Sequence, residues 1–189
     1  MNTRFTIIVT TTLMCVFGQI SEPVNAQKFQ EAMVEEALIK HINVVDDAKF
    51  YDVIVSNPAT IDYPLERLQN HYRMSLKKSS DGNVKIYSYL TGIGLNGCEY
   101  NIIQYKSEGK VFVTKDKWFH FYTCFDRDKE YVSDIKVITI DGKTYYLIFA
   151  GKYNGDDYGT SEFGVTAFTV ENNFLVTAPL FKNTDFHVY

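Results

Sequence analysis

Cys98 and Cys124 are the strongest candidates for covalent chemistry in this sequence of 189 residues. A thiolate is a good nucleophile, but an even pair of cysteines in an oxidising compartment points to a disulfide instead. Such a bridge would close a loop of about 25 residues and contribute roughly 3 kcal/mol through the unfolded chain. Two free thiols are the alternative. The remaining cysteine, Cys15, lies in an apolar run near the N-terminus.

The other reactive residue types do not converge. His41, His71, His120 and His187 are far apart and show no metal-ligand spacing. There is no Gly-x-Ser-x-Gly and no Cys-x-x-Cys. Gly92-Ile93-Gly94 is an isolated Gly-x-Gly between expected strands, with no helix after it to receive a phosphate. Asp156-Asp157 has no further acidic residues at calcium-loop spacing, so it reads as a solvated turn. The sequence therefore implies no enzyme, no metal and no cofactor.

What remains is an aromatic load of 14 Tyr, 14 Phe and one Trp. Tyr combines an apolar body with a polar tip, which suits a pocket for a partly polar ligand. The competing reading is that these rings fill a core, since burial of aromatics is the general rule.

The elements that position these residues begin after a targeting segment. Arg4, the uncharged run from Phe5 to Gly18 and the small residues of Val24-Asn25-Ala26 follow the order of a secretory signal peptide. Fourteen apolar residues are short for a membrane span, which needs about 20. Residues 1–26 are therefore expected to be removed, leaving Gln27–Tyr189 as one secreted domain with no membrane contact. The net charge of −4 and the lack of a basic stretch argue against nucleic acid. No Asn-x-Ser/Thr sequon is present, so N-glycosylation is not expected.

In Lys28–Ile42, Phe29, Met33, Val34, Ala37, Leu38 and Ile42 fall at helical spacing, with Gln30, Glu31, Glu35, Glu36 and Lys40 opposite. Beyond it the period changes from 3.6 to 2. Strands are expected at Lys49–Ser56, from Tyr72 to Lys77, and at Val84–Thr91, Cys98–Tyr105, Lys110–Thr114, Trp118–Phe125, Tyr131–Ile140, Thr144–Gly151, Tyr158–Thr169 and Phe174–Ala178. Turn chemistry separates them at Asp81-Gly82, Glu108-Gly109, Asp126–Lys129, Asp141-Gly142 and Asn154–Asp157. Short antiparallel strands at this spacing mean a sandwich or a closed barrel, and closure removes the exposed edges.

The layout resembles the lipocalins. Ala48-Lys49-Phe50-Tyr51 is similar to the aromatic mark of their first strand, without its glycine and tryptophan. Ile140-Asp141-Gly142, followed by an aromatic-rich strand, is similar to their later turn mark. The arginine that closes the family's barrel floor has no counterpart in Phe163–Asn173, and no long C-terminal helix is evident. The resemblance implies an all-β fold: an eight-stranded antiparallel up-and-down barrel with an N-terminal helix. It also implies a small hydrophobic or amphipathic ligand held inside.

On that expectation Tyr72, Met74, Ile86, Tyr100, Ile102, Phe119, Phe121, Tyr145, Leu147 and Phe149, with Val165 and Ala167, are candidate inward residues. Several strands are apolar on both faces, so the inward parity is open. One enzymatic lipocalin subgroup uses a barrel cysteine as nucleophile. Here Cys98 and Cys124 are better explained as partners of each other. A second reading of the same scaffold is a protein antagonist, with the Gly92–Gly97 and Pro58–Leu68 loops as contact candidates.

Overall fold

The computed structural model describes residues 24–44, 46–91, 98–115, 129–153 and 161–181. Three helices, α1 (Val24–Asn43), α2 (Asp47–Ser56) and α3 (Glu66–Gln69), and a 3₁₀ turn at Pro58–Ile61 come first. Eight strands follow: β1 (Met74–Lys78), β2 (Val84–Thr91), β3 (Cys98–Ser107), β4 (Lys110–Lys115), β5 (Lys129–Ile140), β6 (Lys143–Tyr153), β7 (Ser161–Glu171) and β8 (Phe174–Thr177).

Among the described residues the strands do not close into a barrel. They form two four-stranded antiparallel meanders, β1-β2-β3-β4 and β5-β6-β7-β8. The two sheets meet at β1 and β5, where Ser75 Oγ donates to the Val132 carbonyl at 3.0 Å. The reason lies in the faces of the N-terminal sheet. Leu76, Tyr87, Tyr89 and Ile102 share one face and pack under the helices with Val34, Leu38, Phe50 and Ile54. Val84, Ile86, Ile103 and Tyr105 share the other face, against Val132, Ile135, Tyr146, Ile148 and Phe168 of the C-terminal sheet. A sheet that is apolar on both faces is a middle layer. The result is three layers: helices, sheet, sheet.

The hairpin turns follow from their residues. Glu108-Gly109 and Asp141-Gly142 both have positive φ at both positions, the type I′ geometry that matches strand twist. Asn172-Asn173 does the same between β7 and β8. The β1–β2 turn is held by Asp81, whose carboxylate accepts from Ser79 Oγ, from the Asn83 N–H and from Tyr146 Oη across the inter-sheet layer.

Lys49–Ser56, expected as a strand, is helical. Asp46 caps it by accepting the Lys49 N–H at 3.2 Å. Phe50 and Ile54, one turn apart, bury against the N-terminal sheet, with Phe50 4.6 Å from the Tyr89 ring. Cap and packing outweigh the β-preference of its Val, Ile and Tyr residues.

The α1 stripe is also shifted. Val34, Leu38 and Ile42 are buried as expected, while Phe29 and Met33 face solvent. Glu31 and Glu35, assigned to the polar face, point inward instead. Their carboxylates accept the N–H groups of Leu65 and Leu68 at 3.3 and 3.0 Å, capping α3, whose N-cap residue has no capping side chain. Leu65 itself is left-handed, a conformation that its complete burial holds in place.

Val24–Ala26, placed before the expected cleavage point, begin α1. Among the described residues no helix is long and apolar enough to cross a membrane. The strand expected at Trp118–Phe125 and the turns at Asp126–Lys129 and Asn154–Asp157 lie outside the described residues, apart from Lys129 itself, which opens β5.

Candidate functional site

The candidate ligand residues do not share one cavity. Ile86 is buried between the two sheets. Met74, Tyr100 and Ile102 lie beneath the helices, on the opposite face of the N-terminal sheet. Tyr72 is 78% exposed, its ring stacked on His71 at 4.9 Å with Arg73 above it. Phe119 and Phe121 lie outside the described residues. The spaces that a barrel would enclose are here two packed cores.

Tyr145, Leu147 and Phe149 do come together, but on the outside. In β6 it is Tyr146 and Ile148 that turn toward the N-terminal sheet. The alternate residues therefore face away from it. Cross-strand registry places Leu147 beside Ala167, Phe149 beside Val165, and Ile138 beside Tyr145. Val165 and Ile140 are 39% and 42% exposed, and Tyr145, Leu147, Phe149 and Ile138 are half-buried. The outer face of the C-terminal sheet thus carries an apolar stripe, flanked on β5 by the Asp134–Lys136 ion pair opposite Phe149 and Leu147, and is only partly covered.

What covers it is the end of the described chain. The Ala178 N–H donates to the Ala167 carbonyl at 2.8 Å, continuing the β7–β8 ladder by one bond. The Leu180 N–H then donates to the Ala178 carbonyl at 2.8 Å, a tight turn centred on Pro179. This bend leaves a cleft of about 420 Å³ between the tail and the sheet. Tyr145, Thr169, Val176 and Leu180 line it, with Lys143 and Glu171 alongside.

The charges at the cleft are paired. The Lys143 ammonium donates to the Glu171 carboxylate, which raises the Lys143 pKa above its ordinary value. It also lies 5.5 Å from the Tyr145 ring centroid. Thr169 Oγ1 is committed to the Thr144 carbonyl at 3.1 Å. The cleft therefore offers apolar walls, an aromatic face and an exposed ion pair, and among its lining residues no nucleophile is placed beside a base. Among the described residues no group of three or more His, Cys, Asp or Glu could hold a metal ion.

A second polar cluster is buried under the helices. Lys85, only 1% exposed, donates from Nζ to the carbonyls of Thr60 and Tyr63 at 2.8 and 2.5 Å. Gln104 donates to the Pro58 carbonyl, and Tyr87 Oη donates to Gln104 Oε1 at 3.0 Å. Burial, helped by the nearby Lys78 charge, pushes the Lys85 pKa down to about 7. Burial likewise raises the Tyr87 hydroxyl far above its usual range. This cluster pins the Pro58–Leu68 loop to the sheet. Its only sequence signal was a lysine and a glutamine at positions whose strand neighbours are apolar.

Of the disulfide candidates, Cys98 opens β3 opposite Thr91, and Cys124 lies outside the described residues. The Gly92–Gly97 loop also lies outside them.

No family model, curated protein or solved structure matches this chain. Of the residues that carried the lipocalin resemblance, Phe50 and Tyr51 stand in helix α2 rather than a first strand, while Asp141-Gly142 form the β5–β6 turn.

Proposed function

We propose that this chain is a secreted, non-catalytic binding protein. Its ligand is a small amphipathic molecule, held on the outer face of the C-terminal sheet. The observation that carries this reading is the one-sided covering of that sheet. Tyr145, Leu147, Phe149 and Val165 present apolar surface beside a cleft that already has walls and a charged margin. Burying about 200 Å² of apolar ligand surface there would contribute roughly 5 kcal/mol before the costs of association. The Lys143–Glu171 pair offers a partner to a head group of either sign. The export signal read in residues 1–26 supports the extracellular setting, and the cleft's lining, with its charges paired and the Thr169 hydroxyl committed to a carbonyl, supports binding over catalysis.

The test is a fluorescence titration of the mature protein with 1-anilinonaphthalene-8-sulfonate, an aromatic amphiphile, repeated on Leu180→Asp. Micromolar binding that weakens at least tenfold in the variant is expected, a loss of about 1.4 kcal/mol. Binding unaltered by Leu180→Asp would place the ligand elsewhere. Mass spectrometry of the same sample tests the Cys98–Cys124 bridge, which leaves the protein two hydrogens lighter than its reduced form.

A further inference from the structure

Lys85 is the least conventional residue among those described. Its amine is sealed between the N-terminal sheet and the Pro58–Tyr63 turn, and its hydrogen-bond acceptors are two neutral carbonyls, those of Thr60 and Tyr63. Two acceptors match a neutral amine, which has two N–H donors. An ammonium has three. Among the described residues the third would have only the face of Tyr87, with Nζ 5.5 Å from the ring centroid.

Among the described residues, every nearby charge is engaged elsewhere or is of the same sign. On the turn itself, the Asp62 carboxylate binds Lys78 and Lys106 at 3.3 and 2.7 Å. From α1, Glu31 and Glu35 are committed to the N–H groups of Leu65 and Leu68. From the sheet, Lys78 opposes a second positive charge, and Tyr87 and Gln104 are bound to each other and to Thr60. Tyr63 contributes its backbone carbonyl. The site therefore accommodates the uncharged side chain better than the charged one, because a buried charge without a counter-ion is costly.

We infer that Lys85 is a proton-operated latch. The neutral amine locks the Pro58–Leu65 segment onto the N-terminal sheet, and protonation loosens that segment while the rest of the fold stays closed. The loosening has a defined route. Beneath the segment the ties to the sheet are Lys85, Gln104 and Tyr87, and at its exposed edge they are the Asp62 ion pairs with Lys78 and Lys106, so admitting water to the ammonium requires the Thr60 and Tyr63 carbonyls to lift away together. The exposed residues Ala59, Asp62 and Pro64 ride on this segment, so the surface of the Pro58–Leu68 loop is tied to the protonation state of one buried amine.

The test is hydrogen exchange of the intact mature protein at pH 6.5, 7.5 and 8.5, corrected for intrinsic rates. Thr60 and Asp62, whose amides bond within the turn, should become more protected as pH rises. The gain should approach about tenfold per pH unit above neutrality, since opening then requires uptake of one proton. Amides of Tyr146 and Ile148 should not change. Equal protection of the turn at all three pH values overturns the latch. A carbon-13 titration of the lysine Cε resonances in the unmodified protein provides a second reading. One lysine titrating near neutrality supports the inference, and all lysines titrating above about pH 9.5, close to the ordinary lysine value, refutes it. In Lys85→Met the pH dependence of the turn should vanish. Retention of the wild-type slope in that variant would exclude Lys85 as the titrating group.

Discussion

The two sheets use the same residue types and the same meander, yet they occupy different environments. The N-terminal sheet is covered on both faces, and Tyr87, Ile86, Ile102 and Ile103 are almost fully buried. The C-terminal sheet is fully covered on one face only, with the tail at Ala178–Leu180 over part of the other. Its inward residues Tyr146, Ile148 and Phe168 are as buried as those of its partner, while Val165 and Ile140 on the outer face stay open. An apolar side chain in the first sheet serves folding whichever way it points. In the second sheet, alternate residues divide between folding and surface. A function that depends on apolar contact with another molecule can reside in the second sheet at little cost to stability.

Substitutions separate the two sheets most sharply. Ile103→Ala removes three heavy atoms from the inter-sheet core and should cost about 3–4 kcal/mol in a urea titration, with no specific effect on ligand affinity. If it cost under about 1 kcal/mol, the two-sided burial of the N-terminal sheet would be in doubt. Glu35→Ala takes the acceptor from the buried Leu68 N–H and should cost about 1–2 kcal/mol, measured the same way. This loss would confirm that the helical layer is bolted to its own short helix by carboxylate caps.

Asp81→Asn tests the tie between the sheets through Tyr146. Burial pushes the Asp81 pKa up, but hydrogen bonds from Ser79, Asn83 and Tyr146 outweigh it, leaving the carboxyl below the ordinary aspartate value. A depressed carboxyl contributes stability that is present above the unfolded pKa and is lost as pH falls through the folded one. The wild type should therefore lose stability below about pH 4, and the variant should lose less over the same interval. Because Asp81 is largely exposed, the difference should stay under about 1 kcal/mol. Thermal melts at pH 3 and pH 6 measure it. Leu147→Lys, on the open face, should move stability by only about 0.5 kcal/mol. The same variant should nevertheless weaken amphiphile binding severalfold. A large stability loss there would mean that the outer face is core after all.

Much of this arrangement was legible in the sequence, for identifiable reasons. Turn chemistry is local, so Asp81-Gly82, Glu108-Gly109 and Asp141-Gly142 gave hairpins where expected, and strands β2 to β4 fell almost where the alternation placed them. Whether strands close into one barrel or divide into two sheets is decided by what packs on their second face. The apolar character of both faces of β2 and β3 was the available sign of a helical layer, but it does not say which face the helices take. Helix α2 was missed because Phe50 and Ile54 bury only when a sheet is there to receive them. The outer cleft depends on the bend at Pro179, which no periodicity encodes. Alternation puts Tyr145, Leu147 and Phe149 on one face of β6, and it is what packs on the other face, through Tyr146 and Ile148, that turns them outward rather than inward.

The meander order also has a kinetic consequence. Within each sheet every described strand pairs with a neighbour in sequence, so each sheet can form with little closure entropy. The bonds that join one sheet to the other are different: Ser75 to Val132, Asp81 to Tyr146 and Tyr105 to Asn173 span 57, 65 and 68 residues. Long-range contacts of this kind assemble last. An opening of the seam between β1 and β5 would therefore expose the apolar inner faces of both sheets to one another and to other chains.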